Sequence, residues 1–129
     1  GRLTITYETP VRLMVNGRPL RKPRFRQVFP FMLRRVTSMI HAHSGVELLD
    51  EPSSLLESVS RIDELETRLN WIDWRAIGGQ RDLVVGGFTG DKVLSGQAIR
   101  DIYWVLADSS MFGIGKGASY GAGRVKLCH

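Results

Sequence analysis

Residues 95–127 read SGQAIRDIYWVLADSSMFGIGKGASYGAGRVKL, and the rest of the chain can be ordered around them. Ile99, Ile102, Tyr103 and Leu106 stand at i, i+3, i+4 and i+7. That spacing predicts one apolar stripe on a helix over Gln97–Ser109, with Ser95 placed to cap it. Five glycines then fall between Gly113 and Gly123, out of 14 in the whole sequence. Two would suffice for a tight helix-to-strand turn. Glycine also admits positive φ and close backbone approach, so the surplus points to a loop that meets another surface. Arg124–Leu127 follows as a short strand.

Upstream of that helix, Arg81–Phe88 is apolar and β-branched, and Gly90-Asp91 is placed to close a hairpin onto Lys92–Leu94. Trp71–Ile77 alternates, with Gly78-Gly79 as a turn signal. Ser53–Leu69 carries Leu55, Val59, Ile62 and Leu69 at helical spacing, and Ser54 with Glu57 reads as a capping box. The expectation is an acidic helix inserted at the surface. Phe29, Met32, Leu33, Val36, Met39 and Ile40 predict a helix over Gln27–Ser44, started or kinked at Pro30 and ended by Gly45. Leu3–Glu8 alternates, and Val11, Leu13 and Val15 continue after Pro10, as one broken strand or two collinear ones. Asn16-Gly17 marks a turn. With the acidic helix set aside, the order is strand, helix, strand, strand, helix, strand. This is the β-α-β-β-α-β pattern of a ferredoxin-like α+β fold.

The 129 residues suit a single domain, 1–129, and 43% hydrophobic with 24% charged is ordinary for a globular chain. No internal repeat or low-complexity tract interrupts it. No stretch approaches the ~20 apolar residues of a membrane helix, and no signal peptide opens it. The single cysteine, Cys128, excludes an internal disulfide and a cysteine-based zinc site. A cytoplasmic location and no membrane contact are expected. The first residue is Gly1 rather than Met, which suggests a piece of a longer protein.

The net charge of +5 is uneven: +8 over residues 1–46, −6 over 47–66 and +3 over 67–129. Arg18, Arg21, Lys22, Arg24 and Arg26 lie within nine residues, and Pro19 and Pro23 are expected to keep that arm extended. Such an arm can follow a polyanion by displacing condensed counterions, or can simply remain a solvated loop. In the glycine loop, exposed N–H groups can cradle phosphate, and Lys116 adds a mobile charge. Two phosphate motifs fail, however. Gly113-x-Gly115-x-x-Ala118 follows a helix and precedes a strand, the reverse of a dinucleotide fingerprint. A P-loop needs Ser or Thr where Gly117 stands and Gly where Ser110 stands. An NTPase is disfavoured.

Taken together, Met111-Phe112-Gly113 running into GIGKGASYGAGRV resembles the C-terminal signature of RAMP-superfamily proteins. LVVGGFTGDKVLSG, residues 83–96, resembles the GGF-x-G hairpin of the CRISPR-associated Cas6 endoribonucleases. Thr9-Pro10-Val11-Arg12, with Phe31-x-Leu33-Arg34-Arg35, resembles that family's opening strand and first helix. The likeness covers most of the chain except the acidic helix. It implies the C-terminal RAMP domain of a protein with two ferredoxin-like domains that cuts CRISPR repeat RNA without a metal, in antiviral defence. The family's catalytic histidine usually lies in the N-terminal domain, which this chain lacks by this reading. The implied partners are CRISPR repeat RNA, that missing domain and other CRISPR effector subunits.

Metal-free RNA cleavage needs a base for the 2′-OH, an acid for the leaving oxygen and cations for the phosphate. His41 and His43 are the candidates within the chain. They stand about 200° apart around a helix and cannot easily share one phosphate. The preferred reading gives them a role at a helix C-terminus, interacting with its dipole. His129 is terminal and expected to be mobile. No metal-ligand spacing is present, and no cofactor is implied. The expected RNA-binding residues are Arg18, Arg21, Lys22, Arg24 and Arg26 of the arm, Gly113, Gly115, Lys116, Gly117, Gly121 and Gly123 of the loop, and Arg124 and Lys126 as phosphate ligands. Tyr120 is the preferred base-stacking residue, ahead of Trp71, Trp74 and Trp104. Two other readings stay open: a RAMP subunit that binds guide RNA without cutting, and a protein-interaction module with a basic arm.

Overall fold

The computed structural model describes residues 1–44, 52–76, 83–114 and 123–129. In chain order they form β1 (Arg2–Val11), β2 (Met14–Val15), β3 (Arg18–Pro19), α1 (Phe25–Ser44), α2 (Pro52–Ser60), β4 (Asp63–Ala76), β5 (Leu83–Ser95), α3 (Ile99–Phe112) and β6 (Val125–Cys128). The four longer strands make an antiparallel sheet in the order β4-β5-β1-β6. Setting aside the β2–β3 ribbon and α2, this is the expected β-α-β-β-α-β arrangement with its α+β, ferredoxin-like order.

One face of the sheet carries the core. Leu69, Gly90, Tyr7 and Val125 are paired in a row across all four strands, and Leu3, Ile5, Phe88 and Leu94 share their face. Val28, Phe29, Met32, Leu33 and Val36 of α1, Val59 of α2 and Ile102, Val105 and Leu106 of α3 close over it. Val105, rather than the half-buried Tyr103, completes the α3 stripe. The opposite face is polar: Lys126, Thr6, Asp91 and Arg68 line up across it, and Thr6 Oγ1 donates to Asp91 Oδ1 at 2.7 Å.

Several local expectations are corrected. The helix predicted over Ser53–Leu69 ends at Ser60, and residues from Asp63 onward are strand. Pairing of β4 with β5 along nearly its whole length outweighs the local helical spacing. The surface helix is therefore short, with Glu57 as its one charged residue, and Asp63, Glu64 and Glu66 belong to an edge strand. Because α2 begins at Pro52, Ser54 lies inside its first turn rather than at the cap. Gly90-Asp91 makes no turn, since β5 runs straight through it. The sheet holds Gly90 between Tyr7 and Leu69, and its φ of 124° needs glycine. Ser95 ends β5, and the residue before α3 is Ala98, with no side-chain cap.

At the other end of the chain, β1 continues through Pro10 with a register shift between Tyr7 and Val11. Val15 does not prolong it. Asn16 and Gly17, at φ 52° and 77°, turn β2 back onto β3 as a two-residue hairpin. Arg18 and Pro19 thus lie in a ribbon, and the basic arm is not one extended segment. Helix α1 starts at Phe25, before Gln27. Gln27 Oε1 accepts the Arg24 N–H at 2.9 Å and Glu64 Oε1 accepts the Phe25 N–H at 3.0 Å, so two of the free donors at the helix start are satisfied. Pro30 costs only the bond to the Arg26 carbonyl and is accommodated inside the helix. The expected cap Gly45 lies outside the described residues.

Candidate nucleic-acid interface

Three segments distant in sequence meet at one end of the sheet. Gly123 N donates to Pro10 O at 3.0 Å, Ile114 N donates to Gly123 O at 3.0 Å, and Arg124 N donates to Thr9 Oγ1 at 2.7 Å. The two roots of the glycine loop are thereby tied to each other and to Thr9-Pro10. Gly113 ends α3 at φ 75°, its N–H on Ser109 O, and Gly123 turns at φ 74°. A Cβ at Gly123 would lie 1.8 Å from Ile114 O, so no side chain fits there.

The same strand end meets β5. A Cβ at Gly87 would lie 2.9 Å from Pro10 Cβ and from the Val11 backbone. Arg12, just beyond β1, donates from its guanidinium to Gly86 O at 3.1 Å. Gly86 in turn backs Trp71 and Asp73 of β4. The Trp71 Nε1–H donates to Asp73 Oδ1 at 2.7 Å, and the Arg21 guanidinium lies 4.8 Å from the centre of the Trp71 ring. A continuous line of contacts thus runs across the sheet end, from Arg124 through Thr9, Pro10 and Gly87 to Gly86, Trp71 and Arg21.

Of the sequence-predicted residues, Gly123, Arg124 and Trp71 lie on this line, Arg21 closes it, and Gly113 stands beside it at the end of α3. Arg124 and Lys126 are exposed and border a groove of about 420 Å³ between β6 and α3, with Glu8, Tyr103 and Ser110. Arg18, Lys22, Arg24 and Arg26 are exposed, spread over the ribbon, the loop before α1 and its first turn. Gly115, Lys116, Gly117, Tyr120 and Gly121 lie outside the described residues. His41 and His43 fall in the last turn of α1, and their side chains are outside the described residues. His129, expected to be mobile, stacks on Tyr103 with Nε2 2.9 Å from its hydroxyl. The sequence alone does not reveal Asp73 and Gly86 as partners of Trp71, nor the role of Arg12. The GGF-x-G stretch was the available signal, but the contacts depend on cross-strand register. Among the described residues, no three His, Cys, Asp or Glu side chains gather as a metal site, and no helix is long and apolar enough to cross a membrane.

Comparison with solved structures recovers this architecture. Thermus thermophilus Cas6 superposes with a TM-score of 0.67 at 20% identity, over 98% of this chain and 53% of that one. A Cas6 product complex gives 0.67 at 19% identity, over 99% of this chain and 51% of that one. A partial Cas6-RT-Cas1–Cas2 complex gives 0.67 at 20% identity, over 99% of this chain and 22% of that one. The chain spans about half the length of the first two, and at these identities the likeness concerns the fold. A comparison with curated proteins gives no match. The sequence itself matches the family of the CRISPR-associated endoribonuclease Cas6 over residues 5–125, a stretch that holds the Thr9–Arg12 strand end, the GGF-x-G strand and the glycine loop, and the chain belongs to that family.

Proposed function

We propose that residues 1–129 are one ferredoxin-like RAMP domain, the C-terminal, RNA-binding half of a metal-independent endoribonuclease that cuts CRISPR repeat RNA into guide RNA in the cytoplasm. The observation that carries this reading is the meeting of Thr9–Arg12, Gly86–Gly87 and the roots of the glycine loop at one sheet end, with Arg12, Arg21 and Arg124 around them. Glycines there let a phosphate backbone come close, and the arginines supply the charge that displaces its counterions. The arm extends this surface, and Lys116 and Tyr120 of the glycine loop are proposed as further RNA contacts.

Cleavage proceeds by attack of a 2′-OH on the adjacent phosphate. The oxygen loses its proton to a base, and an acid protonates the departing 5′ oxygen. This half supplies cations that steady the phosphate charge. The other half of the protein supplies the acid and base, with His41 and His43 as the candidates inside this chain. Further CRISPR proteins are proposed as partners, a reading supported by the match to a Cas6-RT-Cas1–Cas2 complex.

The test is cleavage of labelled cognate repeat RNA in EDTA by this chain and by its full-length parent, with a 2′-deoxy control at the cut site. Cutting by the parent alone, with the control bound but spared, is expected. Cutting by the fragment would move the chemistry to His41 and His43. Binding without cutting, even by the parent, would favour a guide-RNA-holding subunit. Neither binding nor cutting would leave a protein-interaction module.

A further inference from the structure

Trp71 is held as a platform. A Cβ on Gly86 would fall 2.3 Å from its Cζ2 and 2.6 Å from its Cε2, so the indole lies directly on the β5 backbone where only glycine leaves room. Its Nε1–H is fixed on Asp73 Oδ1, and the ring packs against the core. The guanidinium of Arg21 covers it. Arg21 and Asp73 are exposed and Trp71 is half-buried, so a rigid ring is covered by a long, mobile side chain. Arg12 stands on the other side of Gly86, held by that residue's carbonyl and retaining further N–H donors.

We propose that Trp71 is a stacking site for one unpaired RNA base, with Arg21 as the lid that lifts and settles on the outer face of that base. The inference rests on the RNA-binding reading and adds to it a residue in contact with a base. Two magnitudes decide between a fixed Arg21–Trp71 pair and an exchangeable one. An exposed cation–π contact is worth about 2- to 5-fold in affinity, and stacking of a base on an aromatic ring about 5- to 150-fold. A base therefore displaces the guanidinium from the ring, and the guanidinium plane regains its contact by stacking on the base. The chemistry around the ring fits a nucleotide on both sides. Asp73 disfavours a phosphate over the indole and accepts from a base amino or imino group, while Arg12 takes a flanking phosphate. A plain packing role for Trp71 needs neither the exposed carboxylate on its N–H nor the two arginines.

The experiment measures binding of fluorescein-labelled single-stranded RNA to the whole chain by anisotropy, at one salt concentration. One strand carries bases, and a strand of equal length is abasic throughout. Trp71→Ala is expected to weaken the base-bearing strand by about 5- to 150-fold, the stacking energy at 1.4 kcal/mol per decade, and to leave the abasic strand unchanged. Trp71→Phe is expected to retain most of the affinity and Trp71→Leu to lose it, and their melting curves separate lost stacking from lost folding. Equal weakening of both strands, or no change with either, overturns the stacking site while leaving RNA binding in place. If the unsubstituted chain binds neither strand, nor the cognate repeat, the RNA reading falls and the stacking site falls with it.

Discussion

The Tyr7 hydroxyl is fully buried beneath the helices and has no hydrogen-bond partner among the described residues. Burial, and secondarily the charge of Glu64, push its phenol well above the ordinary range. The unfolded phenol titrates near 10. Below that pH both states hold the proton and stability is unaffected. Above it the unfolded chain releases a proton that the folded chain keeps, so folding weakens as pH rises. Tyr7→Phe removes both the stranded hydroxyl and this term, while the ring keeps its edge-on contact with Phe88. The expected result is a urea midpoint at pH 7 equal to or above that of the parent, and a smaller loss of stability between pH 9 and 11. An unfolding free energy at pH 7 lowered by more than about 1 kcal/mol would mean the hydroxyl is bonded after all.

At the scale of elements, Glu64 and Lys92 join three of them. Lys92, buried in β5, sits 2.7 Å from Glu64 and donates to Thr67 at 2.8 Å, both on β4, and Glu64 also receives the first N–H of α1. Lys92→Met strands a carboxylate that is about a quarter exposed, and is expected to cost near the low end of the ~3–5 kcal/mol seen for broken buried pairs. Adding Glu64→Gln should restore part of that loss in a double-mutant cycle, whereas simple additivity would show the two are uncoupled. Gly90→Ala tests the sheet differently. Its Cβ would fall 1.9 Å from Arg68 O at a φ that side chains rarely adopt, so β4 must pull away from β5. Faster amide exchange across β4, with a loss above about 1 kcal/mol, is expected. These elements also show what local sequence conveys. Helices α1 and α3 were legible because their apolar spacing is their packing. Strand β4 was not, because Thr67, Leu69, Trp71 and Asp73 form a face only beside β5, and Leu55 and Val59 set a helical rhythm that the following residues happened to continue. Gly90-Asp91 has turn chemistry, but neighbours on both sides keep it straight.

For the whole molecule, the fold class was legible from element order, while the candidate site was legible only in its parts. Thr9–Arg12, the GGF-x-G strand and the glycine loop each stood out. Their meeting depends on the displaced register between β1 and β5, which no local pattern encodes. The acidic segment was likewise visible as charge but not as structure. Glu64 and Glu66 are spent on Lys92 and Arg68 along the sheet edge.

The strand order has a consequence for synthesis. Within these residues β1 is made before both of its neighbours, β5 and β6, which come from the second half of the stretch. During synthesis the edge of β1 that faces β5 therefore stays open until Ser95 has emerged, and the edge that faces β6 until Cys128 has. Nascent chains arrested before Gly123 should be cut rapidly by protease, and chains released after Cys128 should resist. Early resistance would mean that the N-terminal half packs by itself. A strand waiting that long is the place where a chaperone or a second copy of the chain would compete for it.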